Sequence, residues 1–85
     1  MNLSELMLKV DELEVIRGFS DETIQDKMDA FDEEVYEFYE AVEGRGNVAE
    51  EGADIINTVI MIFKRYRIDP EKALNDKIEK DKLRV

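Results

Sequence analysis

The stretch FDEEVYEFYEAVEGRGNVAEEGADIINTVI, residues 31–60, decides the fold of this 85-residue chain. An apolar seam begins at residue 24 and runs into this stretch. Its residues recur at alternating steps of four and three: Ile24, Met28, Phe31, Val35, Phe38 and Val42. That period predicts a helix that packs within a bundle and ends near Gly44. After the connector at 44–47, a second helix is predicted at about 48–66, with Asn47 as its cap. A short link between two long helices predicts an antiparallel hairpin.

Helix signals also lie on both sides of this hairpin. Apolar residues at three- and four-residue spacing predict a first amphipathic helix over residues 2–17, which Gly18 ends. Ser20 is the predicted N-cap of the first hairpin helix. The dipeptide Asp69-Pro70 predicts the start of a last helix. The expected fold is therefore all-α, with four helices and a central antiparallel hairpin.

Composition narrows the classes of function that are open to the chain. Residues 1–85 are too few for more than a single domain. There are 12 Lys and Arg against 22 Asp and Glu, a net charge of −10, with no His and no Cys. These counts exclude a disulfide framework, a Cys/His zinc site and a Cys or His nucleophile. A charge of −10 also argues against a nucleic acid polymer as partner.

No targeting or membrane-spanning segment is predicted. Residues 1–10 mix Ser4, Glu5 and Lys9 among apolar residues, which is unlike a signal peptide. The longest nearly apolar stretch, residues 55–63, has about half the length needed to span a bilayer. We therefore expect a cytoplasmic protein with no membrane partner.

The same stretch, residues 55–63, predicts a subunit contact. It is apolar nearly all round the helix, so it must be buried on several sides. In so small a chain the natural cover for the extra face is a second copy. We expect a homodimer or homotetramer in which the four helices assemble into an oligomeric bundle.

Four carboxylates of the hairpin form the candidate site. Glu34 and Glu37 are three residues apart, so they are neighbours on one helix, and Glu51 and Asp54 repeat that spacing on the other. Glu37 and Asp54 are equally far from the centre of the hairpin, so antiparallel packing places them at one level. Like charges this close are tolerable when a divalent cation neutralises them. A set of oxygen ligands suits Mg²⁺ or Mn²⁺, and it indicates Ca²⁺ less specifically. The alternative is an acidic surface patch.

The remaining acidic residues are interpreted as solvated surface on polar helix faces or at helix N-termini. They include Glu5, Asp11, Glu12, Glu14, Asp21, Glu22 and Glu71.

The hairpin motifs resemble those of a known family. Glu33-Glu34-Val35-Tyr36-Glu37, followed by Glu51-Gly52-Ala53-Asp54, resembles the EExxE…ExxD signature of the MazG-like nucleoside triphosphate pyrophosphohydrolases. The resemblance extends to the segments 25–28, 67–74 and 77–80 and spans about residues 25–82. It implies an all-α oligomer that hydrolyses a nucleoside or deoxynucleoside triphosphate to the monophosphate and pyrophosphate with Mg²⁺, as in house-cleaning of the nucleotide pool.

The resemblance also implies roles for individual carboxylates. Glu34, Glu37, Glu51 and Asp54 would be the metal ligands. Glu33 would support them or help to orient water, so that Glu33, Glu34 and Glu37 form the expected catalytic set.

Substrate contacts are implied for the last helix and for one amide. Lys77 and Lys80 match the basic residues that contact phosphate in the family, although Asp81 stands where the family often has Asn. Asn57 lies one turn beyond Asp54 and is assigned to substrate binding or to orienting a ligand carboxylate, the alternative being a polar helix contact.

Three other functions remain open. One is a calcium buffer, which would bind Ca²⁺ without hydrolysis. The phosphoribosyl-ATP pyrophosphohydrolases of histidine synthesis carry similar carboxylate motifs, and assays with phosphoribosyl-ATP and with deoxynucleotides would separate the two activities. A non-catalytic, dimerising helical interaction module would show neither metal-dependent stabilisation nor hydrolysis.

Overall fold

A computed structural model describes residues 2–18 and 21–84 of the chain. In this part of the chain the structure contains four helices and no strand, which confirms the predicted all-α class. The helices are α1 (Leu3–Arg17), α2 (Ile24–Glu40), α3 (Val48–Arg65) and α4 (Pro70–Lys82).

The α2–α3 pair forms the predicted antiparallel hairpin and the most extensive helix contact of the fold. α2 runs into a π-helical turn, Ala41–Arg45, in which Gly44 has a φ of 99° and ends the helical path. That left-handed conformation is one that glycine adopts without a steric penalty. Asn47 then caps α3, because its Oδ1 accepts a hydrogen bond of 3.1 Å from the backbone N–H of Glu50.

The predicted ends of the outer helices are also confirmed. Asn2 caps α1, and Gly18 closes it in a left-handed conformation with a φ of 73°. At the start of α4 the Asp69 carboxylate accepts hydrogen bonds from the backbone N–H groups of Glu71 and Lys72. Pro70 occupies the first turn, where its missing N–H has no cost.

The start of α2 differs from its prediction. The proposed cap Ser20 lies outside the described residues, and α2 begins at Ile24, so the prediction of a helix opening at Ser20 was wrong. The observed cap is Thr23: its Oγ1 accepts from the backbone N–H of Asp26 at 3.0 Å, and its own N–H donates to the Asp26 carboxylate at 2.9 Å. This reciprocal pair satisfies two backbone donors at once and so determines where the helix begins.

The apolar seam of α2 is buried only at alternate positions. Ile24, Phe31 and Phe38 are partly buried against the rest of the chain. Met28, Val35 and Val42 remain exposed, and Val42 has 63 % of its surface accessible. Because these three residues are seven apart, they form one stripe along the helix. We call them the α2 stripe.

One buried polar contact overturns a sequence interpretation. Glu14 was expected to be solvated, but only 1 % of its side chain is exposed, and its Oε2 lies 2.9 Å from the Nζ of Lys27, which is equally buried. Lys27 also reaches Glu22 at 3.1 Å. Lys64 of α3 pairs with both Glu14, at 3.4 Å, and Asp11, at 3.0 Å. We call these five residues the compensated cluster, and they join α1 to α2 and α3.

The hydrophobic core lies beside this cluster. Val10, Ile60 and Met61 are buried, and partly buried residues of α1 pack against them. α3 also lines an apolar groove of about 230 Å³, which we call the α3 groove, with Leu3, Ile55, Ile56, Val59, Phe63 and Leu74 among its lining residues. Among the described residues, no helix combines the length and hydropathy of a transmembrane segment.

Candidate metal centre

Three of the four predicted ligands converge in the hairpin. Oxygen atoms of Glu37 on α2 and of Glu51 and Asp54 on α3 all lie within 4.8 Å of one another. The antiparallel register explains this arrangement, because Glu37 and Asp54 lie at one level and Glu51 lies one turn along the same face of α3. We call the three residues the carboxylate triad.

Gly52 allows α3 to come close to α2 at the triad. A Cβ atom built at this position would lie 3.1 Å from the Cε1 of Phe38, closer than ordinary van der Waals contact. Gly52 lies between Glu51 and Asp54 in sequence, and Phe38 follows Glu37. The missing side chain therefore supports the close approach of the backbones that carry the triad.

Glu51 is the most unusual member of the triad. Its Oε2 is buried and accepts no hydrogen bond from any residue that the structure describes. Burial raises the pKa of Glu51, and the adjoining carboxyl of Glu37 and the charges of Asp54 and Glu50 raise it further. A buried carboxylate oxygen without a donor is costly, and a cation at the triad would satisfy it. The oxygen-only donor set fits a hard divalent ion such as Mg²⁺ or Mn²⁺.

Glu34 lies beside the triad and not within it. Its Oε1 accepts a hydrogen bond of 2.6 Å from the Oγ1 of Thr58, a buried residue of α3. Burial raises the pKa of Glu34; the Thr58 hydrogen bond opposes that rise, and the charges of Asp54, Glu37 and Glu33 add to it. Glu33 itself is exposed on α2.

A pocket of about 240 Å³ adjoins the triad, and we call it the Asp54 pocket. Its polar lining consists of Arg17, Glu34, Asp54, Asn57 and Thr58, and its apolar lining consists of Leu13, Ala30 and Met61. The predicted residues Glu34 and Asn57 therefore line the same pocket as Asp54.

Sequence reasoning missed Arg17, which reaches this pocket from α1. Spacing along a helix carries no signal for such a residue, since only the packing of α1 on the hairpin brings it near Asp54.

Comparison with known proteins identifies the family. A family model described as phosphoribosyl-ATP pyrophosphohydrolase, PRA-PH, matches residues 5–81. The chain belongs to this family. PRA-PH domains belong to the MazG-like superfamily of all-α pyrophosphohydrolases, so the resemblance found in the sequence is confirmed. Searches of curated proteins and of solved structures returned no match.

Membership of the PRA-PH family agrees with the chemistry of the triad. Its members are pyrophosphohydrolases that act on nucleotide-like triphosphates, and MazG-like enzymes are typically metal-dependent. The match supports phosphoribosyl-ATP pyrophosphohydrolysis, which the sequence analysis gave as the alternative, better than general triphosphate house-cleaning.

The predicted phosphate-binding lysines of this PRA-PH domain lie apart from the triad. Lys77 and Lys80 are both exposed on α4. The Nζ of Lys77 forms a salt bridge of 2.7 Å with the Oδ1 of Asp81. Asp81 is the residue that departs from the family pattern. Neither lysine lines the Asp54 pocket of its own chain. Their contact with phosphate remains a prediction.

Proposed function

We propose that this chain is a Mg²⁺-dependent pyrophosphohydrolase that cleaves between the α- and β-phosphates of phosphoribosyl-ATP. The family match over residues 5–81 carries the proposal, and the convergence of Glu37, Glu51 and Asp54 supports it. The products would be the nucleoside monophosphate derivative and pyrophosphate. Hydrolysis of ordinary nucleoside or deoxynucleoside triphosphates is the second candidate, which the hairpin motifs favour.

The triad would hold the metal in this mechanism. A divalent ion bound there would neutralise phosphate charge and make water more nucleophilic. Glu37, Glu51 and Asp54 would provide the oxygen ligands, and phosphates bound through the ion would lie near the Asp54 pocket. Mn²⁺ would fit the same ligand set as Mg²⁺.

Two roles are open to Glu34 in the proposed site. Thr58 donates a hydrogen bond to one of its oxygens, and Asp54 lines the same pocket, so Glu34 would complete the metal ligand set or orient the attacking water. Glu33 would assist from the exposed side of α2. Measuring Mn²⁺ affinity and turnover of Glu34→Gln separates the two roles, because only the first requires weaker metal binding.

Pyrophosphate release tests the proposed function. The substrates are phosphoribosyl-ATP and a panel of nucleoside and deoxynucleoside triphosphates, each with Mg²⁺. We expect release with phosphoribosyl-ATP, a loss of at least about a hundredfold in Glu51→Gln, and near-parent turnover in the matched control Glu50→Gln. Faster release from a deoxynucleotide would favour the second candidate. Absence of release from every substrate would favour the non-catalytic interaction module.

We also infer that two copies of the chain associate. The α2 stripe and the α3 groove are apolar surfaces that the described part of a single chain leaves accessible. Burying them against a second copy would complete a core that is small for a chain of this length. Sedimentation equilibrium should give a dimer or tetramer, and Val35→Glu should shift the population towards monomer. A monomeric parent chain would contradict this inference.

A further inference from the structure

Arg17 brings a cation to a pocket that is otherwise lined by acidic, neutral polar and apolar groups. It lies in the last turn of α1 and lines the Asp54 pocket together with Glu34 and Asp54. We propose that Arg17 binds a phosphate group of the substrate, so that α1 contributes to substrate recognition. This proposal rests on the proposed function and adds a residue to it.

The pocket shares one residue with the candidate metal centre. Asp54 belongs both to the triad and to the wall of the pocket. Phosphates held at the triad through a cation would therefore lie close to the Asp54 side of this pocket. Glu34 and Asp54 would repel an anionic group there, and the guanidinium of Arg17 would offset that repulsion.

The chemistry of arginine suits this role. A guanidinium presents several N–H donors in one plane and can bind two phosphate oxygens side by side. Lysine provides a point charge without this geometry. An exchange to lysine should therefore preserve only part of the function.

α1 is held firmly enough to position such a residue. Glu14 lies three residues before Arg17, almost one turn, and pairs with Lys27 of α2 and Lys64 of α3. The compensated cluster therefore fixes the end of α1 against both hairpin helices. Arg17 extends from a helix that is anchored on two sides.

The phosphate contact predicted for α4 has less support within one chain. Neither Lys77 nor Lys80 lines the Asp54 pocket, whereas Arg17 does. Arg17 provides the positive charge at the position where the chain itself places the pocket.

The competing explanation is that Arg17 only balances the charges of Glu34 and Asp54. In that case its removal should alter metal affinity and thermal stability, while the affinity for phosphate should be unchanged once the metal is saturating. The two explanations therefore differ in which measured quantity moves.

The experiment compares Arg17→Gln, Arg17→Lys and the control Arg45→Gln, which removes an exposed arginine at the hairpin turn. Calorimetry measures the binding of inorganic pyrophosphate at saturating Mn²⁺. Electron paramagnetic resonance measures the binding of Mn²⁺ alone. Steady-state kinetics with the substrate that the parent hydrolyses give KM and kcat. We expect Arg17→Gln to weaken pyrophosphate binding and raise KM by about tenfold or more, with partial recovery in Arg17→Lys. Mn²⁺ affinity and the control should stay near the parent values.

The outcomes separate this proposal from the proposed function. If the parent binds pyrophosphate but hydrolyses no substrate, the proposed function fails and calorimetry still decides the role of Arg17. Unchanged pyrophosphate affinity in Arg17→Gln, or no pyrophosphate binding by the parent, would overturn the proposal. If Arg17→Gln does not fold, Arg17→Lys decides: a pyrophosphate affinity equal to the parent value would overturn the bidentate contact that we propose.

Discussion

The two groups of charged residues in this domain differ in how their charges are balanced. In the compensated cluster, three carboxylates meet the two lysines Lys27 and Lys64 at distances of 2.9 to 3.4 Å. In the carboxylate triad, ten residues further along α2, three carboxylates converge on one another, and one buried oxygen of Glu51 accepts no hydrogen bond from the described residues. In the first group, lysines of the same chain balance the carboxylate charges. In the second group, a cation from solution would balance them.

This difference separates a structural role from a functional one. A buried pair that is complete holds helices together, whereas it becomes strongly destabilising when one partner is lost. A cluster of charges of one sign costs stability in the free protein, and a bound cation would recover it. The following four predictions test this contrast.

The largest effect is expected from breaking the compensated cluster. Lys27→Met would leave Glu14 buried without its closest cation, and we expect the free energy of unfolding to fall by about 3–5 kcal/mol in urea denaturation. The double variant Glu14→Leu/Lys27→Met should recover much of this loss, since both charges are then absent. Lys72→Met, which removes an exposed lysine paired with Asp76, is the control and should change stability little. A loss in Lys27→Met no greater than in this control would refute the structural role.

The next effect concerns metal addition. Mg²⁺ or Mn²⁺ at about 100 times its dissociation constant should raise the free energy of unfolding by about 2.7 kcal/mol. Glu51→Gln should abolish this gain, and the neighbouring control Glu50→Gln should keep it. Thermal melts with and without the metal measure the difference. Equal gains in both variants would mean that the ion binds elsewhere.

A smaller effect is expected at the contact between Glu34 and Thr58. Thr58→Val keeps the shape of the side chain but removes the hydroxyl that donates to the half-buried Glu34 carboxylate. We expect a loss of about 1–2 kcal/mol in unfolding free energy, because the hydrogen bond is charge-assisted. Thr58→Ser, which retains the hydroxyl, should be much closer to the parent. The opposite ranking of Val and Ser would show that the methyl group matters more than the bond.

The smallest effect is a pH dependence of opposite sign in the two groups. Burial alone would raise the pKa of Glu14, but its hydrogen bonds and charge contacts with Lys27 and Lys64 lower it below the ordinary 4.5. Its contribution is therefore present above pH 4.5 and is lost as the pH falls through the lowered value. The pKa values of Glu51 and Glu34 are raised, so between 4.5 and those values the folded state binds more protons than the unfolded state. Stability of the metal-free protein should accordingly decline as the pH rises through that range.

Urea denaturation between pH 3 and 7 in EDTA measures both slopes. Glu14→Gln should flatten the acidic side of the profile, and Glu51→Gln should flatten the side above pH 4.5. A profile that responds to the two variants in the same pH range would contradict the contrast between the groups.

Local signals predicted most of the helices and the centre of the site. Gly18, Asn47 and the dipeptide Asp69-Pro70 act on their own helix ends, so their positions could be read without knowing the packing. The antiparallel register likewise brought Glu37 and Asp54 to one level. The start of α2 was wrong because several polar residues before it can cap a helix, and only the observed bonds distinguish Thr23 from the others.

The remaining differences come from contacts between helices. Glu14 lies four residues after the buried Val10, so its position on the inner face of α1 was visible in the sequence, but its partner Lys27 belongs to another helix. Glu34 accepts a hydrogen bond from Thr58 across the hairpin, and spacing along α2 does not reveal this contact. Arg17 reaches the Asp54 pocket only because α1 packs on the hairpin.

The absent side chain of Gly52 also affects the size of the ion that would fit between the carboxylates. Mg²⁺ holds its oxygens at about 2.0–2.1 Å and Ca²⁺ at about 2.3–2.6 Å, so the two ions require cages of different width. Gly52 permits the short gap between the helices that carry Glu37, Glu51 and Asp54, and a methyl group there would press on Phe38. Widening that gap would favour the larger ion. At the proposed metal centre, a residue that has no side chain would thus determine which ion is preferred.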